Sequence, residues 1–300
     1  MIEKILVTGA SGMVGSRFVE TYKDRENLLT PDLDVFELTR PESVAAYFAD
    51  HPDIGAVIHL AAFTNVSEGQ KQKGDKVSLC YQLNVVGTQN LVDQIKDRDI
   101  YLIHISTDMV FPGDVADPGP YAEDHLVEAD VNRLTWYGYT KALAERIITS
   151  TLPSAAILRL IYPVVANYDL KLDYLRAPLA YFEKNQTVYP IFTDQQMNIT
   201  PVDEICLCLK ELLARRLSGI FHAGSSDITT PYEIMVRLFD AVYGRHDMIK
   251  AGSLTEFLKA QTDPTRYSKF GGLLVEKTEK VLGLKYSATE KIIAKLYGRK

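Results

Sequence analysis

The feature that most restricts how this chain can fold lies near its start. An apolar run from Ile2 to Thr8 ends in Thr8-Gly9-Ala10-Ser11-Gly12-Met13-Val14-Gly15. Helical spacing follows at once, with Val14, Phe18, Val19 and Tyr22 recurring at three and four. Glycines spaced this way do three jobs: one permits a tight turn, one lets a pyrophosphate approach the backbone, and one lets helix and strand pack closely. Amides of Ser11, Met13 and Val14 at the helix start then face the negative charge. A glycine trio alone is a weak signal, but between a strand and a helix it becomes a strong one. The pattern predicts a dinucleotide-binding unit rather than an ordinary strand-to-helix turn.

The remaining sequence extends that unit. A short strand is expected at Asn27–Thr30 and a helix from Pro41 through Phe48. Gly55 to Ala62 reads as a central strand ending in small residues. Leu79 to Lys96 is expected to be helical, Tyr101 to Thr107 a strand, Tyr137 to Ser150 a helix and Ala155 to Ile161 another strand. Strands alternating with helices predict an α/β fold, a Rossmann doubly wound parallel sheet. Beyond Pro163 the alternation weakens and aromatics and prolines become frequent. The expected organisation is a dinucleotide-binding domain over 1–162, with a return segment near 199–223. A smaller C-terminal α/β substrate lobe occupies most of 163–300. The basic end, Tyr297-Gly298-Arg299-Lys300, reads as a solvated tail.

Composition removes several classes. The formal net charge of −6 offers no basic excess for nucleic-acid phosphates. No apolar run approaches the roughly 20 residues that span a bilayer. The opening Met1-Ile2-Glu3-Lys4 enters a strand without a secretory pattern. Cys80, Cys206 and Cys208 are too few for a disulfide framework. Cys206 and Cys208 lie in an apolar helical stretch and read as buried, reduced thiols rather than metal ligands. A cytoplasmic protein is expected, with no metal and no nucleic-acid or membrane partner.

An acidic residue about 20 positions beyond the glycine loop is expected to bind the adenosine ribose. Asp32 and Asp34 are both in range, and either would favour NAD by repelling a 2′-phosphate. Either also reads as a turn residue beside Pro31. No arginine directly follows the second strand, although Arg40 is near, so NAD and NADP both stay open.

Tyr137 and Lys141 are four apart, so on a helix they share a face. A reductase needs an acid to protonate the alkoxide formed as hydride arrives, and an ordinary phenol, with pKa about 10, exchanges protons slowly near neutrality. A nearby ammonium is expected to lower that pKa. Tyr139 lacks such a partner, since Leu143 stands four residues later. Thr107, in Ser106-Thr107-Asp108 at a strand end, places a hydroxyl where it could stabilise developing negative charge. Asn84, early in a helix, is expected to fix backbone or water. Each has a structural reading alone: Tyr137 as core aromatic, Lys141 solvated, Thr107 as a strand end, Asn84 as a surface amide. Their joint presence on a dinucleotide domain favours the chemical reading.

With these residues the sequence resembles the extended short-chain dehydrogenases/reductases, and within them the dTDP-4-dehydrorhamnose reductase branch. The resemblance rests on Gly9-x-x-Gly12-x-x-Gly15, Ala61-Ala62-Phe63-Thr64-Asn65-Val66-Ser67-Glu68, Asn84-Val85-x-Gly87-Thr88, Ser106-Thr107-Asp108-Met109-Val110-Phe111 and Tyr137-x-x-x-Lys141. Gly113, Pro120-Tyr121 and Glu123 continue it, and Asp194-Gln195, Thr200-Pro201-Val202 and Arg266 carry it more thinly. It implies hydride delivery from NADH or NADPH to the 4-keto carbon of a nucleotide-linked deoxysugar, as in dTDP-rhamnose biosynthesis. Tyr137 is then the proton donor, Lys141 its tuner and ribose ligand, and Thr107 the hydrogen-bond partner of the reacting oxygen. Ala61, Ala62 and Asn84 belong to the cofactor side. Thr64, Val66 and Asp108 belong to the sugar side, with Gln195 and Arg266 toward the nucleotide end. A homodimer is implied as well. The departures fall on the substrate side: Ser67 replaces a common aspartate, Gln196-Met197-Asn198-Ile199 replaces a glycine-containing approach to Thr200-Pro201, Arg266-Tyr267 replaces Arg-Pro, and a Ser-Trp pair is missing around Leu160-Ile161. Other readings are an epimerase and a non-catalytic nucleotide-binding regulatory subunit. A dehydratase is disfavoured by Asp108-Met109 where Asp-Glu is usual.

Overall fold

A computed structural model describes residues 3–298. Ile2 and the last two residues of the basic tail lie outside the described residues. The chain divides into two compact units. The first comprises Met1–Phe111, Leu126–Arg159 and Cys206–Phe221, and the second Pro112–His125, Leu160–Ile205 and His222–Lys300.

A six-stranded sheet organises the first unit. In chain order its strands are β1 (Lys4–Thr8), β2 (Leu28–Leu29), β3 (Ile54–His59), β4 (Tyr101–Thr107), β5 (Ala156–Leu160) and β6 (Gly219–Ala223). Their spatial order is β2-β1-β3-β4-β5-β6. The pairs β1–β2, β1–β3 and β3–β4 are parallel. The expected α/β fold with a parallel sheet is therefore present, and the Gly219–Ala223 segment joins it. The chain leaves β1 toward β2 on one side and resumes with β3 on the other. That reversal opens a crevice at the carboxyl ends of β1 and β3, where open α/β sheets take ligands.

The helices of this unit are α1 (Met13–Thr21), α2 (Pro41–Asp50), α3 (Val66–Gln70), α4 (Gly87–Ile95) and α5 (Trp136–Thr151). Leu6, Val57, Leu102 and Ile157 present an apolar row on one sheet face, packed with Val44 and Phe48 of α2, Leu91, Val92 and Ile95 of α4, and Ile148 of α5. The segment expected as one helix from Leu79 to Lys96 is interrupted. A helical turn at Leu79–Tyr81 widens into a π-turn over Gln82–Val86 before α4 begins.

Two residues further along the strands, the same face turns polar. Thr8, His59, His104 and Arg159 are all buried. Thr8 pairs with His59 in register, and His59 with His104. Arg159 makes a bidentate pair with Glu145 of α5, Nε to Oε1 at 3.0 Å and Nη2 to Oε2 at 2.8 Å. Its guanidinium also lies 4.8 Å from the Phe111 ring centre. A buried charge is tolerable only when paired and hydrogen-bonded.

The second unit has its own apolar core, which includes Leu175, Met197, Ile199, Ile234, Leu238, Phe239 and Ile293. Two short parallel pairs lie within it, Pro163–Val164 with Thr200–Pro201 and Ile191–Phe192 with Ala251–Gly252. Asn198 ties its loops together: Nδ2 donates to Ser225 O at 2.9 Å and Leu273 O at 3.0 Å, and Oδ1 accepts from Leu273 N at 3.1 Å. Among the described residues no helix is long and apolar enough to cross a membrane, and no cluster has the makings of a metal site.

The buried ion pair yields a stability prediction. Arg159→Met strands the Glu145 carboxylate and should cost roughly 3–5 kcal/mol in chemical denaturation. Adding Glu145→Leu should restore most of that loss.

Candidate active site

The glycine loop closes tightly on itself. Gly12 N donates to Gly9 O at 3.0 Å, and Ser16 N to Gly12 O at 2.8 Å. Gly9 has φ +68°, in the left-handed region. A Cβ there would also stand 2.7 Å from Ala61 N, at the end of β3. A Cβ on Gly15 would strike Gly9 O and Ala10. The loop is thus flat against the ends of β1 and β3 because it carries no side chains at these points. Gly12 caps α1 without lending a side chain, so the first-turn amides of the helix keep their polarity for an anion. This cradle fits a dinucleotide pyrophosphate, with Ser11, Met13 and Val14 at the helix start and Ala61 and Ala62 across the crevice.

After β2 the chain turns at Asp32, whose carbonyl accepts from Val35 N at 3.1 Å and Phe36 N at 3.0 Å. Asp32 and Asp34 are exposed. Arg40 is held by carboxylates, with Nε 2.9 Å from Glu42 Oε1 and Nη1 4.0 Å from Glu37 Oε2.

Asn84 sits in the π-turn and is fully buried. Its Oδ1 accepts from Phe63 N at 2.8 Å, while Nδ2 donates to Phe63 O at 3.2 Å and Thr140 Oγ1 at 3.0 Å. It therefore clamps the backbone after β3, one of the two tasks its sequence position suggests. The clamped segment runs through exposed Thr64 to Val66, the first residue of α3. Gln70, at the other end of α3, accepts from Trp136 N at 2.8 Å, docking that helix on the start of α5.

Thr135 caps α5 by accepting from Gly138 N at 3.0 Å. A Cβ on Gly138 would collide with Met109 O. This close approach sets Tyr137 beside the end of β4. Thr107 Oγ1 donates to Asp108 Oδ1 at 3.1 Å and accepts from Met109 N at 3.2 Å. The Thr107 hydroxyl also lies close enough to the Tyr137 phenol to lower its pKa. Burial pushes the Asp108 carboxyl up to about 7, against the Thr107 hydroxyl and backbone amides. The Tyr137 phenol is pushed above its ordinary value by burial and by the neighbouring Asp108 charge, with Thr107 opposing.

That upward shift differs from the lowering expected of a Tyr–Lys pair. The reason is where the amine goes. Lys141 is buried, and its Nζ lies 2.6 Å from Ile105 O and 2.9 Å from His104 Nε2. Burial pulls it down to about 7, with Glu145 opposing. The structure thus gathers Thr107, Asp108, Tyr137 and Lys141 at the end of β4. Sequence reasoning passed over His59, His104, Glu145 and Gly138. A histidine inside each of two apolar strands was the available signal for the first two.

Gln195 and Arg266 both belong to the second unit. Gln195 is buried and donates from Nε2 to Ser268 O at 2.9 Å. Arg266 lies in the turn Pro264–Arg266, with its guanidinium 5.7 Å from the Tyr267 ring centre.

Sheet, glycine cradle and rim define the class: dinucleotide-binding α/β proteins carrying a Tyr–Lys pair beside a strand-end threonine. Within it, the chain belongs to the RmlD substrate binding domain family, whose profile matches residues 3–298. It is 27% identical over 274 residues to a probable low-salt glycan biosynthesis reductase, Agl14, of Haloferax volcanii, with 87% of each chain covered. It is 26% identical over 245 residues to a dTDP-4-dehydrorhamnose reductase of Aggregatibacter actinomycetemcomitans, covering 79% of this chain and 78% of that one. Its fold matches a crystal structure of dTDP-4-dehydrorhamnose reductase from Bacillus anthracis in complex with NADP, with TM-score 0.82, 20% identity and 98% of each chain covered.

The raised Asp108 carboxyl gives a pH-dependent prediction. A carboxyl whose folded pKa lies above its unfolded value, about 4, destabilises the fold increasingly as pH rises from the lower value to the higher. Asp108→Asn keeps the oxygen facing Thr107 and removes the charge. It should therefore stabilise the protein more at pH 8 than at pH 5, by about 2–3 kcal/mol. Thermal denaturation at the two pH values checks this.

Proposed function

We propose that this protein reduces the 4-keto group of a nucleotide-linked 6-deoxysugar with NADH or NADPH, in the manner of a dTDP-4-dehydrorhamnose reductase. The observation that carries this reading is the rim in which Thr107 hydrogen-bonds Asp108 beside the Tyr137 phenol, next to buried Lys141. The bound nicotinamide supplies hydride to the carbonyl carbon. Tyr137 gives its phenolic proton to the oxygen that becomes the hydroxyl. Thr107 hydrogen-bonds that oxygen as negative charge develops. Lys141 is assigned as the nicotinamide ribose ligand, its amine held by Ile105 O and His104. Gly9, Gly12 and Gly15 admit the pyrophosphate to the amides of Ser11, Met13 and Val14. Ala61, Ala62 and Asn84 complete the cofactor side, with Thr64, Val66 and Asp108 on the sugar side. Gln195 and Arg266 are assigned to the nucleotide end.

The coenzyme side favours NADH. Asp32 and Asp34 are exposed beyond β2, and Arg40 already faces Glu42 and Glu37. A 2′-phosphate would meet carboxylates before it met an uncommitted cation. The homodimer implied by the resemblance is part of the same reading. Sedimentation at twice the 33.7 kDa chain mass supports it, and a monomer mass overturns it.

Mixing the protein with NADH and a dTDP-4-keto-6-deoxysugar should consume absorbance at the nicotinamide band. Tyr137→Phe should lower kcat by about 10²–10⁴ while leaving NADH affinity within about twofold. Cofactor binding without turnover on several such sugars would instead favour a non-catalytic nucleotide-binding subunit. Calorimetric titration should give a Kd for NADH at least about tenfold below that for NADPH. Asp32→Asn should narrow that gap, and an unchanged gap removes Asp32 from the ribose site.

A further inference from the structure

Beneath the rim lies a group of side chains that the proposed chemistry does not use. His59 and His104 are buried and adjacent in register on β3 and β4, their ring centres 5.1 Å apart. The His59 tautomer follows from its neighbours. Thr88 Oγ1 donates to Asn84 O at 2.7 Å, so it accepts from His59 Nε2 at 3.3 Å. Nδ1 of His59 is then the acceptor for Thr8 Oγ1 at 2.8 Å. His59 is complete as a neutral ring. Burial, and secondarily the Lys141 charge, pulls it down to about 3.

His104 is not complete. Its Nε2 meets Lys141 Nζ, but among the described residues its buried Nδ1 has no hydrogen-bond partner. An ammonium has only donors, so beside charged Lys141 the Nε2 must accept and the ring proton must sit on the unpartnered Nδ1. A buried N–H without a partner is costly, and packing alone would not select it. An apolar side chain would fill the space without that cost.

We propose that His104 is a positioning residue for Lys141, holding the ammonium by one N–H while Ile105 O holds a second and the third stays uncommitted. The contact favours the charged amine, because a hydrogen bond accepted from a cation stabilises it. The other titratable or charged groups around Lys141 are neutral His59 on β3, Glu145 on its own helix with Arg159 on β5 as its partner, and Asp108, Tyr137 and Cys80 toward the rim. An imidazolium beside the ammonium is opposed by burial first and then by repulsion from Lys141, which hold His104 well below its ordinary value. The row therefore carries one titrating cation.

Nitrogen-detected NMR on the protein alone reads this without turnover, so it stands apart from the reductase reading. In the wild type, His104 should be the Nδ1–H tautomer at pH values where Lys141 is charged. An Nε2–H tautomer there overturns the proposal, with no variant needed. Lys141, assigned by loss of its signal in Lys141→Met, should titrate about one pH unit lower in His104→Phe, a roughly tenfold loss of ammonium at fixed pH. His104→Gln, which keeps an acceptor, should recover most of the shift. Equal shifts in both variants, or none in either, overturn it. In an active reductase the alkaline limb of kcat should move acidward in His104→Phe alone.

Discussion

A cation buried beneath a polar rim needs acceptors that are themselves neutral or fully balanced. In this protein that requirement organises one end of the sheet. The apolar row Leu6, Val57, Leu102 and Ile157 gives way, two residues along each strand, to Thr8, His59, His104 and Arg159. Lys141 and Glu145 of α5 lie over that polar row, four residues apart on one helical face. The two cations are handled differently. Arg159 is fixed by a bidentate carboxylate and stays charged. Lys141 has a carbonyl and an imidazole, which hydrogen-bond it without cancelling its charge.

That difference bears on the rim chemistry. A carboxylate at the Lys141 amine would pair off its charge, as Glu145 does for Arg159. Neutral acceptors leave the ammonium's charge uncancelled, while burial pulls its pKa down to about 7. Asp108 acts in the opposite sense, since its charge raises the phenol. Thr107 is hydrogen-bonded to Asp108 and opposes that rise at the phenol. Burial thus pushes the Asp108 carboxyl up and pulls the Lys141 amine down, each to about 7.

Much of this was legible in the sequence because it is local. The glycine loop, the alternating strands and helices, and the four-residue spacing of Tyr137 and Lys141 all follow from short-range periodicity. The segment Gly219–Ala223 was recognisable as a returning strand from its apolar pattern. What stayed hidden depends on register and on contacts distant in sequence. His59 and His104 are 45 positions apart and meet only because β3 and β4 align them. The partner of Lys141 could not be read from α5 alone, and so the phenol shift was expected with the wrong sign. Pro112–His125 joins the second unit through bonds such as Gly119 N to Phe270 O at 2.7 Å and Thr278 Oγ1 to Glu123 Oε1 at 2.8 Å, which no local pattern announces.

The π-turn at Gln82–Val86 has an evolutionary consequence. One extra residue in a helical turn advances every later side chain by about 100° around the axis. Asn84 can face Phe63 and Thr140 while Leu91, Val92 and Ile95 still face the sheet because that advance lies between them and the preceding turn. A single-residue deletion here would not merely shorten a loop. It would rotate either the amide clamp or the whole apolar stripe of α4 out of phase. The fold therefore constrains chain length through residues 82–86 more tightly than it constrains side-chain identity at exposed Asp93 of α4.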